Sequence, residues 1–141
     1  MVLRVVCRGP WTLLAVCNER GDCPLLDFLY EGSTPTPFGF QPRGPLAEQK
    51  IRMLARLAAV AETGPPHNAK ICHQIEGDIW QIEHGRVRLL WFYDEGRVVI
   101  LSHGFLKRSQ KTPEAEKSLA RAALREYREA KVRRRLKILE D

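Results

Sequence analysis

Apolar and polar positions alternate with a period of about two residues over three stretches in the middle of the chain, Ile79 to His84, Val87 to Tyr93 and Val98 to Phe105, which predicts three strands. The connections, His84-Gly85 and Asp94-Glu95-Gly96, are too short for anything but hairpins, so the strands form an antiparallel meander. In the second strand Val87, Leu89, Trp91 and Tyr93 share one face and Arg88, Leu90 and Phe92 the other. Both faces are largely apolar, which places this strand centrally, with helices on at least one side. Lys70 to Ile75 reads as a short strand or extended lead-in, and Trp11 to Cys17 as a β-prone segment closed by the turn-rich Asn18-Glu19-Arg20-Gly21.

Elsewhere the period lengthens. Cys23 to Glu31 carries Leu25, Leu26, Phe28 and Leu29 and predicts a short helix. Leu46 to Thr63 predicts a longer one, with Ile51, Leu54, Ala58 and Ala61 on one face, Leu57 beside them, and Gly64-Pro65-Pro66 as the stop. Between these helices, residues 32–45 hold Pro35, Pro37, Pro42 and Pro45 and read as a loop. Thr112-Pro113 opens the last helix, with Thr112 as N-cap and Glu114 and Glu116 where the helix dipole favours anions. Its apolar stripe is Leu119, Ala122, Ala123, Tyr127 and Ala130. The fold expected is a single α+β domain spanning 1–141, with a mainly antiparallel sheet of about four strands packed by helices and a basic C-terminal helix and tail.

Charge sharpens the picture. The chain has 141 residues and a net charge of +6, and 13 of its 23 Lys and Arg lie from Arg97 onward. That balance suits an anionic partner such as nucleic acid. The four cysteines, Cys7, Cys17, Cys23 and Cys72, form no CxxC pair and sit beside no histidine cluster, so no metal is expected and reduced, mostly buried thiols are. No phosphate-cradling glycine-rich loop or cofactor motif is evident, and none is expected. The N-terminal apolar stretch is cut by Arg8, Gly9 and Pro10, which excludes a signal-peptide core or a membrane span and predicts a cytoplasmic protein without membrane attachment.

The most concentrated chemistry lies in His103 to Pro113, HGFLKRSQKTP, where Lys107, Arg108 and Lys111 crowd a short connector. Together with Gly77 to Glu116, GDIWQIEHGRVRLLWFYDEGRVVILSHGFLKRSQKTPEAE, this segment resembles the RelE/ParE superfamily of toxins from toxin–antitoxin systems, and within it the phage-derived, HigB-like branch. The likeness is carried by Trp80, by Arg88 inside the next strand, by Gly104-Phe105 with Lys107-Arg108, and by Gln110-Lys111-Thr112-Pro113. It is close over about a third of the chain and holds elsewhere only in the order of elements. Three positions after the tryptophan, where many relatives are basic, stands Glu83. A carboxylate there repels a phosphate, so it either points away or leaves one contact of the family site missing.

The resemblance implies a ribosome-dependent, metal-independent mRNA endoribonuclease, in which a 2′-OH attacks the adjacent phosphate and fixed cations stabilise the developing charge. It also implies a cognate antitoxin, expected to carry a helix-turn-helix domain. Arg88, Lys107 and Arg108 are the candidate catalytic cations, with Lys111 beside them; a planar guanidinium fork matches a phosphate. The plain alternatives are a structural ion pair for Arg88 and a solvated cationic turn for the others. His103 is the motif's histidine and a candidate acid or base, but strand alternation places it on one face with Leu101 and Phe105, which favours a core role. Trp80 is a candidate base-stacking residue or a core one, and Arg121 and Arg125 extend the RNA-binding surface. Two other functions stay open: a ParE-like gyrase inhibitor, and a basic nucleic-acid- or partner-binding protein without activity.

Overall fold

The structure, a computed structural model, describes residues 1–140. In chain order the elements are β1 (Val2–Arg8), β2 (Thr12–Val16), α1 (Pro24–Tyr30), β3 (Ser33–Thr36), β4 (Gly39–Pro42), α2 (Pro45–Thr63), β5 (Cys72–Glu76), β6 (Ile79–His84), β7 (Val87–Asp94), β8 (Val98–Leu106), α3 (Glu114–Val132) and β9 (Lys137–Leu139). The α+β class and the β6-β7-β8 meander agree with the sequence reading. The sheet is larger than expected, with seven strands in the order β5-β6-β7-β8-β2-β1-β9. It is also mixed: β2 pairs with β8 and β1 with β9 in parallel, while the other pairs are antiparallel.

Helices cover both faces. On one, α1 and α2 supply Leu25, Leu29, Met53, Leu57 and Val60 to a core shared with Leu13, Ile82, Val87, Leu89, Trp91 and Leu101 of the sheet. On the other, α3 lays Ala120 and Tyr127 against Leu3, Ile79, Leu90, Phe92 and Ile100. Strand β7 is buried over Val87–Phe92, as two apolar faces require. Both Cys23 and Cys72 are buried and all four cysteines are free thiols; burial pushes the Cys72 thiol up to about 11. Among the described residues no helix is long and apolar enough to cross a membrane.

Several local expectations need correction. Residues 32–45 are not a plain loop, because β3 and β4 pair from Ser33↔Pro42 to Thr36↔Gly39 as a separate two-stranded hairpin. Its prolines take edge positions, where no ladder donor is needed. The buried face of α2 runs through Lys50, Met53, Leu57, Val60 and Ala61, rotated from the predicted stripe, and Ala58 is exposed. Lys50 is tolerated there because its ammonium sits 4.3 Å over the Phe28 ring and 3.4 Å from Glu31 Oε1. On α3, Leu119 is exposed and Ala120 takes the inward position instead. Thr112 does not cap α3; the helix begins after Pro113 without a side-chain cap, and the Thr112 hydroxyl turns to the sheet.

Candidate nucleic-acid interface

The register of the central strands decides which side chains meet. Glu83 pairs directly with Arg88 across β6 and β7, and Arg88 pairs with Phe105 across β7 and β8. Cross-strand partners share a face, so these three side chains rise on the α3 side of the sheet. The connector between β8 and α3 folds back over this face. Arg88, Gln81 and Phe105 from the sheet and Lys107 to Pro113 from the connector wall one pocket, and a groove lined by Phe105, Leu106, Arg108, Pro113 and Glu116 lies beside it.

Two bonds set the fold-back. The Lys107 amide donates to the Arg86 carbonyl at 2.7 Å, which prolongs the β7–β8 pairing past the strand end. The Thr112 hydroxyl donates to Gln81 Oε1 at 2.8 Å, where the buried amide needs a donor. Between these anchors Lys107 is half-buried and Arg108 and Lys111 are exposed. Among the described residues none of these three cations has a carboxylate within ion-pair distance.

The basic helix is different. Arg121 is bound by Glu76 and Glu114, Arg128 by Asp78 at 2.8 Å, and Lys131 by Asp94 at 2.8 Å. Arg125 is exposed and lines a separate groove with Arg121, Leu124, Arg128 and Glu129. The connector therefore carries its three charges openly, while Arg121, Arg128 and Lys131 of α3 are answered within the fold. Arg121 and Arg125 are not walls of the Arg88 pocket.

Arg88 is buried and fixed. Its Nε lies 3.3 Å from Glu83 Oε2, and its Nη1 donates to the carbonyls of Gly85 at 2.6 Å and Val87 at 3.0 Å. Glu83 does not point away, since the same carboxylate oxygen accepts from Gln81 Nε2 at 3.2 Å. The sheet ion pair weighed for Arg88 is present, and it coexists with Arg88's place in the pocket wall.

His103 and Trp80 lie elsewhere. A bulge between Leu101 and His103 inserts Ser102 opposite the Leu90/Trp91 step, so His103 pairs with Leu90 and Leu101 with Trp91. A bulged residue re-aims the side chains after it. His103 consequently faces α3, on the opposite side from Leu101, which corrects the simple alternation. Its Nε2 is 3.2 Å from Glu116 Oε2 and its Nδ1 is 2.9 Å from Ser102 Oγ. Burial lowers its pKa, against the opposing pull of Glu116. It is not a wall of the Arg88 pocket. Trp80 pairs with Trp91 on the other face and stacks on it at 5.6 Å, within an aromatic cluster that includes Tyr93 and Trp11. It does not share a face with Arg88.

Sequence reasoning missed Gln81 as part of this site, took Glu83 for a carboxylate that points away or replaces a contact, and took Thr112 for a helix cap. The signal for the first two was their position on β6 opposite Leu90 and Arg88, legible only once the register was known. Gly104 of the motif has a packing reason: a Cβ there would lie 2.7 Å from Leu89 Cδ2 and from the Phe28 ring.

A family model described as "Phage derived protein Gp49-like (DUF891)" matches residues 46–125. That range is more than half of the chain and runs from α2 through the meander and connector into α3. No curated protein matches the sequence.

Proposed function

The chain belongs to the phage-derived Gp49-like family, and on that footing we propose that it is the toxin of a toxin–antitoxin pair, of the HigB-like kind, acting as a metal-independent endoribonuclease on translated mRNA. The observation that carries the reading is the pocket in which three connector cations, without carboxylate partners among the described residues, adjoin a fixed arginine. Such a cluster binds a phosphodiester and spreads stabilisation over its oxygens as a 2′-OH attacks. A preorganised cation supplies this without reorganisation at the moment of reaction. The unanswered charge also invites an acidic segment of an antitoxin, which would mask the pocket while the toxin is made.

Induction of the protein with genome-wide mapping of RNA 5′ ends, beside a gyrase supercoiling assay, tests the proposal. New 5′ ends within translated messages, with supercoiling unchanged, are expected. Loss of supercoiling without RNA cleavage would assign the target to gyrase.

A second reading has a specific observation in its favour. Glu83 adds a negative charge beside Arg88, and His103 is held by Glu116 and is not a wall of the pocket. A site whose histidine is not among its walls suits RNA binding without cleavage. In that case induction yields RNA association and no new 5′ ends.

A further inference from the structure

The guanidinium of Arg88 is held at two of its three nitrogens. Nε faces Glu83 Oε2 and Nη1 is taken by two backbone carbonyls of the β6–β7 turn and strand start. Nη2 has no partner among the described residues and is not sealed from solvent. Arg88 also walls the connector pocket. The two held nitrogens and the open one therefore divide the side chain between fold and pocket.

Glu83 is itself held. Its Oε2 accepts from Gln81 Nε2, and Gln81 Oε1 accepts from Thr112 Oγ1. One chain of polar contacts thus runs from the connector through Gln81 and Glu83 to Arg88. Two effects of Glu83 on an anion in the pocket oppose each other. Its charge repels the anion. Its tether fixes the plane of a long, rotamer-rich side chain, so less freedom is lost when the anion binds. Arg88 is 7% exposed, and a buried guanidinium stripped of its counter-ion would carry an unanswered charge or drag the side chain from its seat. At this depth the tether outweighs the repulsion.

We infer that Glu83 is a positioning residue for Arg88, holding the guanidinium so that Nη2 can meet a backbone phosphate of single-stranded RNA at the cationic connector. This rests on the RNA-directed reading proposed above. It reverses the sign expected of a carboxylate beside an anion site: removing Glu83 weakens RNA binding.

The test uses the full chain, a short single-stranded RNA at fixed ionic strength, and the variants Glu83→Ala and Glu83→Gln, each also in an Arg88→Ala background. Glu83→Ala is expected to lose about tenfold in affinity, because a charge-assisted contact is gone, while Glu83→Gln, which loses the counter-charge but keeps an acceptor for Gln81, loses less. In the Arg88→Ala background Glu83→Ala has no further effect. The Arg88 Nε–H resonance, followed by nitrogen-resolved NMR, is slow to exchange in wild type and Glu83→Gln and exchange-broadened in Glu83→Ala. Equal or tighter RNA binding by folded Glu83→Ala overturns the inference, and so does an unchanged Nε–H signal. If wild type binds no RNA, the RNA-directed reading fails and the Nε–H signal alone decides whether Glu83 fixes Arg88.

Discussion

The hydroxyl of Thr112 donates to Oε1 of Gln81 at 2.8 Å, pinning the end of the cationic connector to a buried amide of β6. Thr112→Val removes the donor at nearly constant volume and leaves the amide oxygen unsatisfied. The expected loss is about 1–2 kcal/mol, read as a lower urea midpoint with unchanged slope. Thr112→Ser retains the hydroxyl and stays closer to wild type.

Gly104 tests the packing of α1 on the sheet. A methyl at this position meets Leu89 Cδ2 and the Phe28 ring at 2.7 Å. Gly104→Ala is expected to destabilise by about 1–3 kcal/mol through overpacking. Phe28→Leu in the same chain relieves part of that loss, so the double variant is more stable than the sum of the singles predicts in thermal melts.

Stability should fall as pH drops through the histidine range. Burial depresses His103 below its ordinary 6.5, despite Glu116, and burial with Arg56 and Arg52 depresses His84. A lowered pKa means that the unfolded chain takes up protons which the folded chain refuses. The stability is fully present above the ordinary value and is lost as pH falls from there toward the depressed one. Denaturant titrations at successive pH values should show this fall, and His103→Gln should flatten part of it.

Connector and helix cations should separate in their salt dependence. Lys107→Ala, Arg108→Ala and Lys111→Ala should each weaken RNA binding and reduce the slope of log affinity against log salt by about 1. Arg121→Ala, whose charge is already held by Glu76 and Glu114, should leave that slope almost unchanged. Filter binding over a salt series distinguishes the two groups.

The meander was legible because its period is short, its turns are glycine-marked and its pairings are local. The parallel β2–β8 pairing joins Thr12 to Val98 and the β1–β9 pairing joins Val2 to Lys137, and no local pattern announces contacts so distant in sequence. β9 has only three residues, exposed except at its end, so it had no hydrophobic signal of its own. In the site, the clustering of Lys107, Arg108 and Lys111 was visible at once. The placement of Trp80 depended on its register with Trp91, and that of His103 on one extra residue in β8. Glu83 looked like a missing cation until its partner across the ladder was known.

If Arg88, beside the connector cations, stabilises charge on an RNA phosphate, its loss must slow cleavage. Primer extension on a translated mRNA, with wild type, Arg88→Ala and Arg88→Lys at matched folding by circular dichroism, tests it most directly. Wild type should leave discrete products ending in a 2′,3′-cyclic phosphate. Arg88→Ala should cleave about a hundredfold more slowly, equivalent to about 3 kcal/mol of barrier, and Arg88→Lys should recover only part, because it keeps charge without the planar fork. Cleavage by Arg88→Ala at the wild-type rate would make this arginine a purely structural partner of Glu83, with no part in the chemistry.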